Sequence, residues 1–326
     1  MAAWGRRLSA TRSADPTPPK DFLSIADWPR DEIERMLARA VELKALRKRR
    51  APVRSLESCS VLLYFAKPSL RTFVTFEVGV VELGGFPVYL PPGQVQIGER
   101  EPPEDVARNL SRWCHAIVVR TYGHDVIESL AAHASVPVIN ALTDRLHPCQ
   151  AMADALTILE HGDLRRDELC YVGDGNNMCH SLLNLAGCLG MRLVVSTPPG
   201  YGPDAAIAKR ASDLAARNGG QIRFVANPHE AVKSASFVYT DVWASMGQEA
   251  EAEQRRAIFR PFQVNAALFA SAPAHAKLLH CLPAHRDEEI TADVFESDRS
   301  IVFDQAENRL HAQKAILERL IATSGA

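Results

Sequence analysis

The chain lacks any marked excess of charge: 37 basic and 39 acidic residues give a formal net charge of -2. That balance gives no electrostatic ground for binding nucleic acid or a membrane surface. No apolar run approaches the length that spans a bilayer. Seven cysteines occur without one Cys-x-x-Cys spacing, and an odd count leaves one without a mate. This argues against a structural zinc site or a disulfide framework, and for reduced thiols in a cytosol-like compartment. Internal repeats and low-complexity linkers are missing as well. What is present is the composition of a soluble globular protein, 47% hydrophobic and 23% charged over 326 residues. That length accommodates two domains with a core each, and the partner to expect is a small molecule.

Residues 1–20 differ from the rest, with Arg6, Arg7 and Arg12 among Ser9, Thr11 and Ser13, followed by Pro16, Pro18 and Pro19. They read as a disordered tail. An arginine-rich, acid-poor start also has the composition of an organellar transit segment, although Asp15 and its shortness weigh against this. A cytoplasmic location is the first expectation and an organellar matrix the alternative. The run Arg47 to Arg50 follows the helical pattern of Ile33, Met36, Leu37, Ala40, Val41 and Leu43, so it reads as a charged helix end favoured by the dipole.

From there strand and helix alternate. Short apolar runs at 61–66, 88–90, 116–119, 136–139, 170–172, 193–195, 222–225, 237–240, 278–282 and 301–303 read as strands, with helical patterns between them. The expected fold is α/β, with two doubly wound parallel-sheet domains, 21–155 and 156–305. A helix from Pro148 to His161 bridges them, and a helix over 306–326 packs back on the first domain. A ligand cleft is expected between the halves.

In open α/β sheets functional residues gather at the carboxyl ends of strands. The most telling end is Lys67-Pro68-Ser69-Leu70-Arg71-Thr72-Phe73, where two hydroxyls and a guanidinium meet a helix start. Such a group suits phosphate oxygens, although an ordinary serine cap beside a surface arginine would look the same. Arg120 ends another strand, and His147 and Gln150 share one face of the bridging helix. Asp174 to Asn177, Asp241 to Gly247 and His280 to Arg286 complete the set. Gly173-Asp174-Gly175-Asn176-Asn177 is a poor dinucleotide loop, because the third glycine of that fingerprint falls on Met178. Cys281 and His280 are adjacent on an extended segment and face apart, so they make no thiol–imidazole pair.

Taken in order, Ser69-Leu70-Arg71-Thr72, His147-Pro148-Cys149-Gln150, Asp241-Val242-Trp243-Ala244-Ser245-Met246-Gly247, His280-Cys281-Leu282-Pro283 and Ala306-Glu307-Asn308-Arg309 resemble the ornithine carbamoyltransferases. The likeness runs from about Lys20 onward. It implies transfer of a carbamoyl group from carbamoyl phosphate to ornithine, giving citrulline and phosphate in arginine metabolism. By the same resemblance Ser69, Leu70, Arg71, Thr72, Arg120, His147, Pro148, Cys149 and Gln150 hold carbamoyl phosphate, with Gln96 reaching a neighbouring subunit's site in a homotrimer. Asn177, Asp241, Ser245 and Met246 hold ornithine, and Cys281, Leu282 and Arg309 close over the carbamoyl group. Arg71, Arg120, His147, Asp241, Cys281 and Arg309 are the implied catalytic set. Carbamoyl phosphate carries its own leaving group, so the resemblance implies no cofactor and no metal. Residues 245–247 are expected on a loop that closes over the amino acid.

Two departures from the family pattern stand out. Many members carry threonine where this chain has Leu70 and arginine where it has Phe73. The expectation is weakened affinity for carbamoyl phosphate with activity retained. The alternatives are a different acceptor amine, such as N-acetylornithine or putrescine, and a catalytically silent carbamoyl-phosphate-binding scaffold.

Overall fold

The computed structural model describes residues 18–91, 97–98, 100–244 and 251–323. Its first half contains α1 (Arg30–Lys48), β1 (Ser60–Phe65), α2 (Leu70–Glu82), β2 (Phe86–Leu90), α3 (Pro103–Trp113), β3 (Ala116–Arg120), α4 (His124–His133) and β4 (Val138–Leu142). Helix α5 (Pro148–His161) then leads to β5 (Glu168–Val172), α6 (Asn177–Leu189), β6 (Arg192–Ser196), α7 (Ala205–Arg217), β7 (Gln221–Phe224), α8 (Pro228–Ala231) and β8 (Phe237–Thr240). The chain continues through α9 (Ala252–Phe259), α10 (Ala266–Ala270), β9 (Lys277–His280), α11 (Ala292–Phe295) and α12 (Val302–Thr323).

The strands form two all-parallel sheets, ordered β2-β1-β3-β4 and β7-β6-β5-β8-β9. The expected pair of doubly wound sheets is therefore present. In the first sheet the chain winds one way from β1 and the other way from β3, so the switch point lies between these two strands. In the second it lies between β5 and β8. Ligands in such sheets bind beyond the carboxyl ends at those points.

Both sheets are covered by helices, which is why β1, β3, β4, β5 and β8 read as near-continuous apolar runs. One hydrophobic cluster is continuous across the halves, from Ile33 and Leu37 through Met152 and Leu156 to Leu182, Leu185 and Ile316. Helix α5 is buried from Pro148 to Ile158, so it is apolar on nearly every side. Helix α12 packs against α1, α2 and α5, returning to the first sheet as expected. Among the described residues, no helix is long and apolar enough to cross a membrane.

One predicted strand is absent. Residues 301–303 form no strand; an isolated bridge pairs Ser300 with Leu278, whose carbonyl accepts from the Ile301 N–H at 3.1 Å, and α12 begins at Val302. The Gln305 N–H donates to the Ile301 carbonyl at 3.0 Å, so the helical ladder has already started there. Likewise β9 stops at His280, and Leu282 has φ of 59° before a cis bond to Pro283.

Candidate active site

The first sheet's switch point is built by β1, β3 and the helices that follow. Ser69 caps α2, its Oγ accepting from the Thr72 N–H at 3.3 Å, which fixes Leu70, Arg71 and Thr72 in the first helical turn. Arg71 is half-buried and Thr72 buried. Arg120 sits at the end of β3, in register with Phe65 of β1. His147 is the cap of α5, its backbone N–H donating to Ser181 Oγ at 2.7 Å. Pro148 occupies the first helical position, where its missing N–H costs nothing. Arg309 arrives from α12 and lies 2% exposed. Its guanidinium donates to Gln150 Oε1 at 2.6 Å and to Thr72 Oγ1.

These groups form a crowded cationic centre. Burial, followed by the charges of Arg309 and Arg71, pulls Arg120 down to about 10. Burial, followed by Arg71, likewise pulls Arg309 down to about 10. Burial also lowers Arg71. All three remain charged at neutral pH while repelling one another, an arrangement complementary to a dianion. His147 is held well below the usual imidazole range, first by burial and then by the same three arginines. It is therefore a neutral hydrogen-bonding group at pH 7. Its Nδ1 and Arg309 Nε are buried without a hydrogen-bond partner among the described residues.

The second sheet's switch point supplies the opposite charge. Asn176 caps α6, its Oδ1 accepting from the N–H groups of Met178 and Cys179 at 2.9 and 3.1 Å. Its Nδ2 donates to Asp241 Oδ2 at 2.8 Å. Asp241 Oδ1 accepts from the Val242 N–H at 2.8 Å and from Cys281 Sγ at 2.9 Å. Burial raises the Cys281 thiol well above its ordinary range, and Asp241 raises it further. Cys281 is thus a neutral donor. The turn bearing Asn176 depends on Gly175, where a Cβ would stand 2.2 Å from the Gly202 carbonyl carbon. Asp174 pairs with Arg255 at 2.5 Å, and burial lifts its carboxyl to about 6.

Not every implied site residue joins these groups. Leu70 is 74% exposed, so only its backbone N–H at the helix start is suited to an anion. The Cys149 side chain points into the core, donating to the Asn140 carbonyl at 3.3 Å, and burial pushes its thiol up to about 12. Its thiol therefore serves packing and does not join the cluster. Asn177 Nδ2 donates to the Thr143 carbonyl at 2.6 Å, tying α6 to the segment that follows β4. Leu282 is half-buried, and its N–H donates to His280 Nδ1 at 2.9 Å. The His280 proton therefore sits on Nε2, facing Glu289 Oε1 at 3.1 Å. His280 and Cys281 thus have separate partners. Phe73 packs edge-on against Phe65 and Tyr89 at centroid distances of 5.5 and 4.8 Å. Gln96, Ser245, Met246 and Gly247 lie outside the described residues.

Sequence reasoning missed the groups that hold the site in shape. Asp154, Tyr239, Gln305 and Glu289 are all buried. Asp154 is the one charged residue between Pro148 and Leu159, four positions after Gln150. That isolated charge on an apolar helix was the available signal.

The comparisons with known proteins agree with this construction. Residues 20–160 match the carbamoyl-P binding domain of aspartate/ornithine carbamoyltransferase, and residues 166–320 match its Asp/Orn binding domain. An ornithine carbamoyltransferase of Halalkalibacterium halodurans is 48% identical over 303 residues, 93% of this chain and 95% of that protein. A second, from Anoxybacillus flavithermus, is 50% identical, covering 93% of this chain and 96% of the relative. The solved ornithine carbamoyltransferase of Pyrococcus furiosus superposes with a TM-score of 0.91 at 49% identity, covering 94% of this chain and 98% of that one. A guanidinium cluster at one switch point and a carboxylate at the other, carried by these two domains in this order, identify the chain as a member of the aspartate/ornithine carbamoyltransferase family.

Proposed function

We propose that this chain is an ornithine carbamoyltransferase, forming L-citrulline and phosphate from carbamoyl phosphate and L-ornithine for arginine synthesis. One observation carries the reading: three desolvated guanidiniums, Arg71, Arg120 and Arg309, gather at the first sheet's switch point, and the second presents Asp241 held by its donors. A dianionic donor and a cationic amine match those two poles. The names of the close relatives support ornithine as the acceptor.

Arg71, Arg120, Arg309 and the helix start at Ser69 to Thr72 would seat the phosphate. His147, being neutral, donates a hydrogen bond without adding a fourth charge. The lone pair of the ornithine side-chain amine attacks the carbonyl carbon, negative charge collects on the carbonyl oxygen, and the C–O bond to phosphate breaks. The departing phosphate takes up that electron pair beside the arginines, where each well-placed donor contributes about 3 kcal/mol. With a reference pKa of about 10.4, fewer than about one amine in a thousand is neutral at pH 7. Asp241 orients the ammonium and assists its loss of a proton as the cleft desolvates. Cys281 keeps the carboxylate aimed and is no nucleophile.

A homotrimer is part of the same reading. Edge strand β2 exposes Phe86, Val88 and Tyr89, and the neighbouring α2 exposes Leu70 and Val74. An apolar edge of this kind supports association. The test is an assay of the purified protein with carbamoyl phosphate and a panel of ornithine, N-acetylornithine, putrescine and aspartate, with light scattering for mass. Citrulline formed from ornithine alone is expected. Transfer to a different amine, or none to any, would overturn the reading.

A further inference from the structure

Asp154 is wholly buried and meets the implied site directly at Gln150. Its Oδ1 accepts from Gln150 Nε2 at 2.8 Å and from Gln305 Nε2 at 2.7 Å. Its Oδ2 accepts from the Tyr239 hydroxyl at 3.2 Å. The far ends of both amides are also engaged. Gln150 Oε1 accepts from Arg309, and Gln305 Oε1 accepts from the His280 N–H at 2.8 Å.

We propose that Asp154 is a positioning residue that sets the direction of these two amides, aiming one oxygen at Arg309 and the other at the backbone that carries Cys281. The inference rests on the carbamoyl-transfer reading for its consequence, but its geometry stands apart from it. A primary amide has a donor end and an acceptor end, whereas a carboxylate only accepts. Two amides that share one carboxylate must both turn their NH2 groups toward it. Both must then turn their oxygens away, which is the sense that a guanidinium and a backbone N–H require. The five groups so linked, Gln150, Gln305, Arg309, Tyr239 and His280, come from α5, α12, β8 and β9. One buried carboxylate therefore orders groups at both poles.

Leucine at position 154 keeps roughly the volume of the side chain and removes the acceptor, so both amides lose the group that turns them. Asparagine retains it: its oxygen still accepts from both glutamines, and its NH2 meets the Tyr239 hydroxyl, which can accept as well as donate. The experiment compares wild type, Asp154→Leu and Asp154→Asn at pH 8. It measures carbamoyl-phosphate binding by calorimetry and, separately, kcat/KM for citrulline formation. We expect Asp154→Leu to weaken binding at least about tenfold and to lower kcat/KM about 10²-fold, while Asp154→Asn stays within about fivefold of wild type in both. Normal behaviour of Asp154→Leu, or losses in Asp154→Asn as large as those in Asp154→Leu, overturns the proposal. If Asp154→Leu cannot be purified folded, Asp154→Asn decides: binding within about fivefold of wild type supports the idea, and weaker binding or a misfolded Asp154→Asn sinks it. A wild type that binds carbamoyl phosphate but transfers to no amine would defeat the functional reading while leaving the binding comparison to judge Asp154.

Discussion

Arg71, Arg120 and Arg309 crowd the first sheet's switch point with like charges, whereas Asp241 at the second accepts from Asn176, Val242 and Cys281. The carboxylate is fixed by its donors and ready to orient a cation without rearranging. The guanidiniums are desolvated against one another, and their repulsion is relieved when an anion enters or forms between them. The contrast separates binding by a prepared partner from stabilisation of charge that moves during reaction.

The strongest way to break this contrast is Arg309→Met. It removes one of three cations and the donors to Gln150 and Thr72, and we expect kcat/KM for carbamoyl phosphate to fall by more than about 10³-fold. Initial-rate kinetics retaining a tenth of the activity would show that the cluster is not the anion pole. The next effect is on stability. Burial raises Asp154 from 3.8 to about 7. The folded state therefore holds the proton more tightly than the unfolded chain, so this stabilisation is present below pH about 4 and lost as pH rises to about 7. Relative to Asp154→Asn, wild type should lose up to about 4 kcal/mol across that window, read from urea unfolding at several pH values. A flat difference would contradict it.

Asp241→Asn tests the other pole. Its kcat/KM for ornithine should drop about 10²-fold, while the calorimetric affinity for carbamoyl phosphate changes less than about threefold. Equal losses for both substrates would erase the distinction between the poles. Cys281→Ala removes one hydrogen bond to a charged group, so a loss of about tenfold is expected. Complete inactivity, or a carbamoylated Cys281 detected by mass spectrometry, would make the thiol a nucleophile after all. Phe73→Arg is the mildest. Losing its edge contacts with Phe65 and Tyr89 should cost about 1–2 kcal/mol, seen as a lower Tm. An unchanged KM for carbamoyl phosphate would end the expectation that Phe73 weakens the anion seat.

The strand ends were legible in the sequence because β-branched runs alternate with helical periods, and chemistry-bearing residues follow the runs directly. Ser69, Arg120, His147, Asp241 and Cys281 could each be found that way. The polar ties behind them could not, since Asp154 meets Gln305 and Tyr239 only after both sheets are formed. The stretch 301–303 was misread for a related reason: three apolar residues satisfy either period. Only the tertiary setting decides, with pairing to Leu278 ending at the Ile301 N–H and Phe303 left 66% exposed on a helix. Leu70 and Cys149 teach the complementary lesson. A motif position identifies a stretch of backbone near a ligand, and the side chain there can face solvent or core.

Helix α12 carries Arg309 to the first sheet after the whole second sheet has intervened, and there it covers α1, α2 and α5. On a ribosome the helical layer over the first sheet must therefore wait until the second half has been made. Its contacts with α1 span nearly the whole described chain, so closing them is entropically late and slow. The first half is consequently exposed to misassembly for longest, and catalytic competence arrives together with completion of the fold.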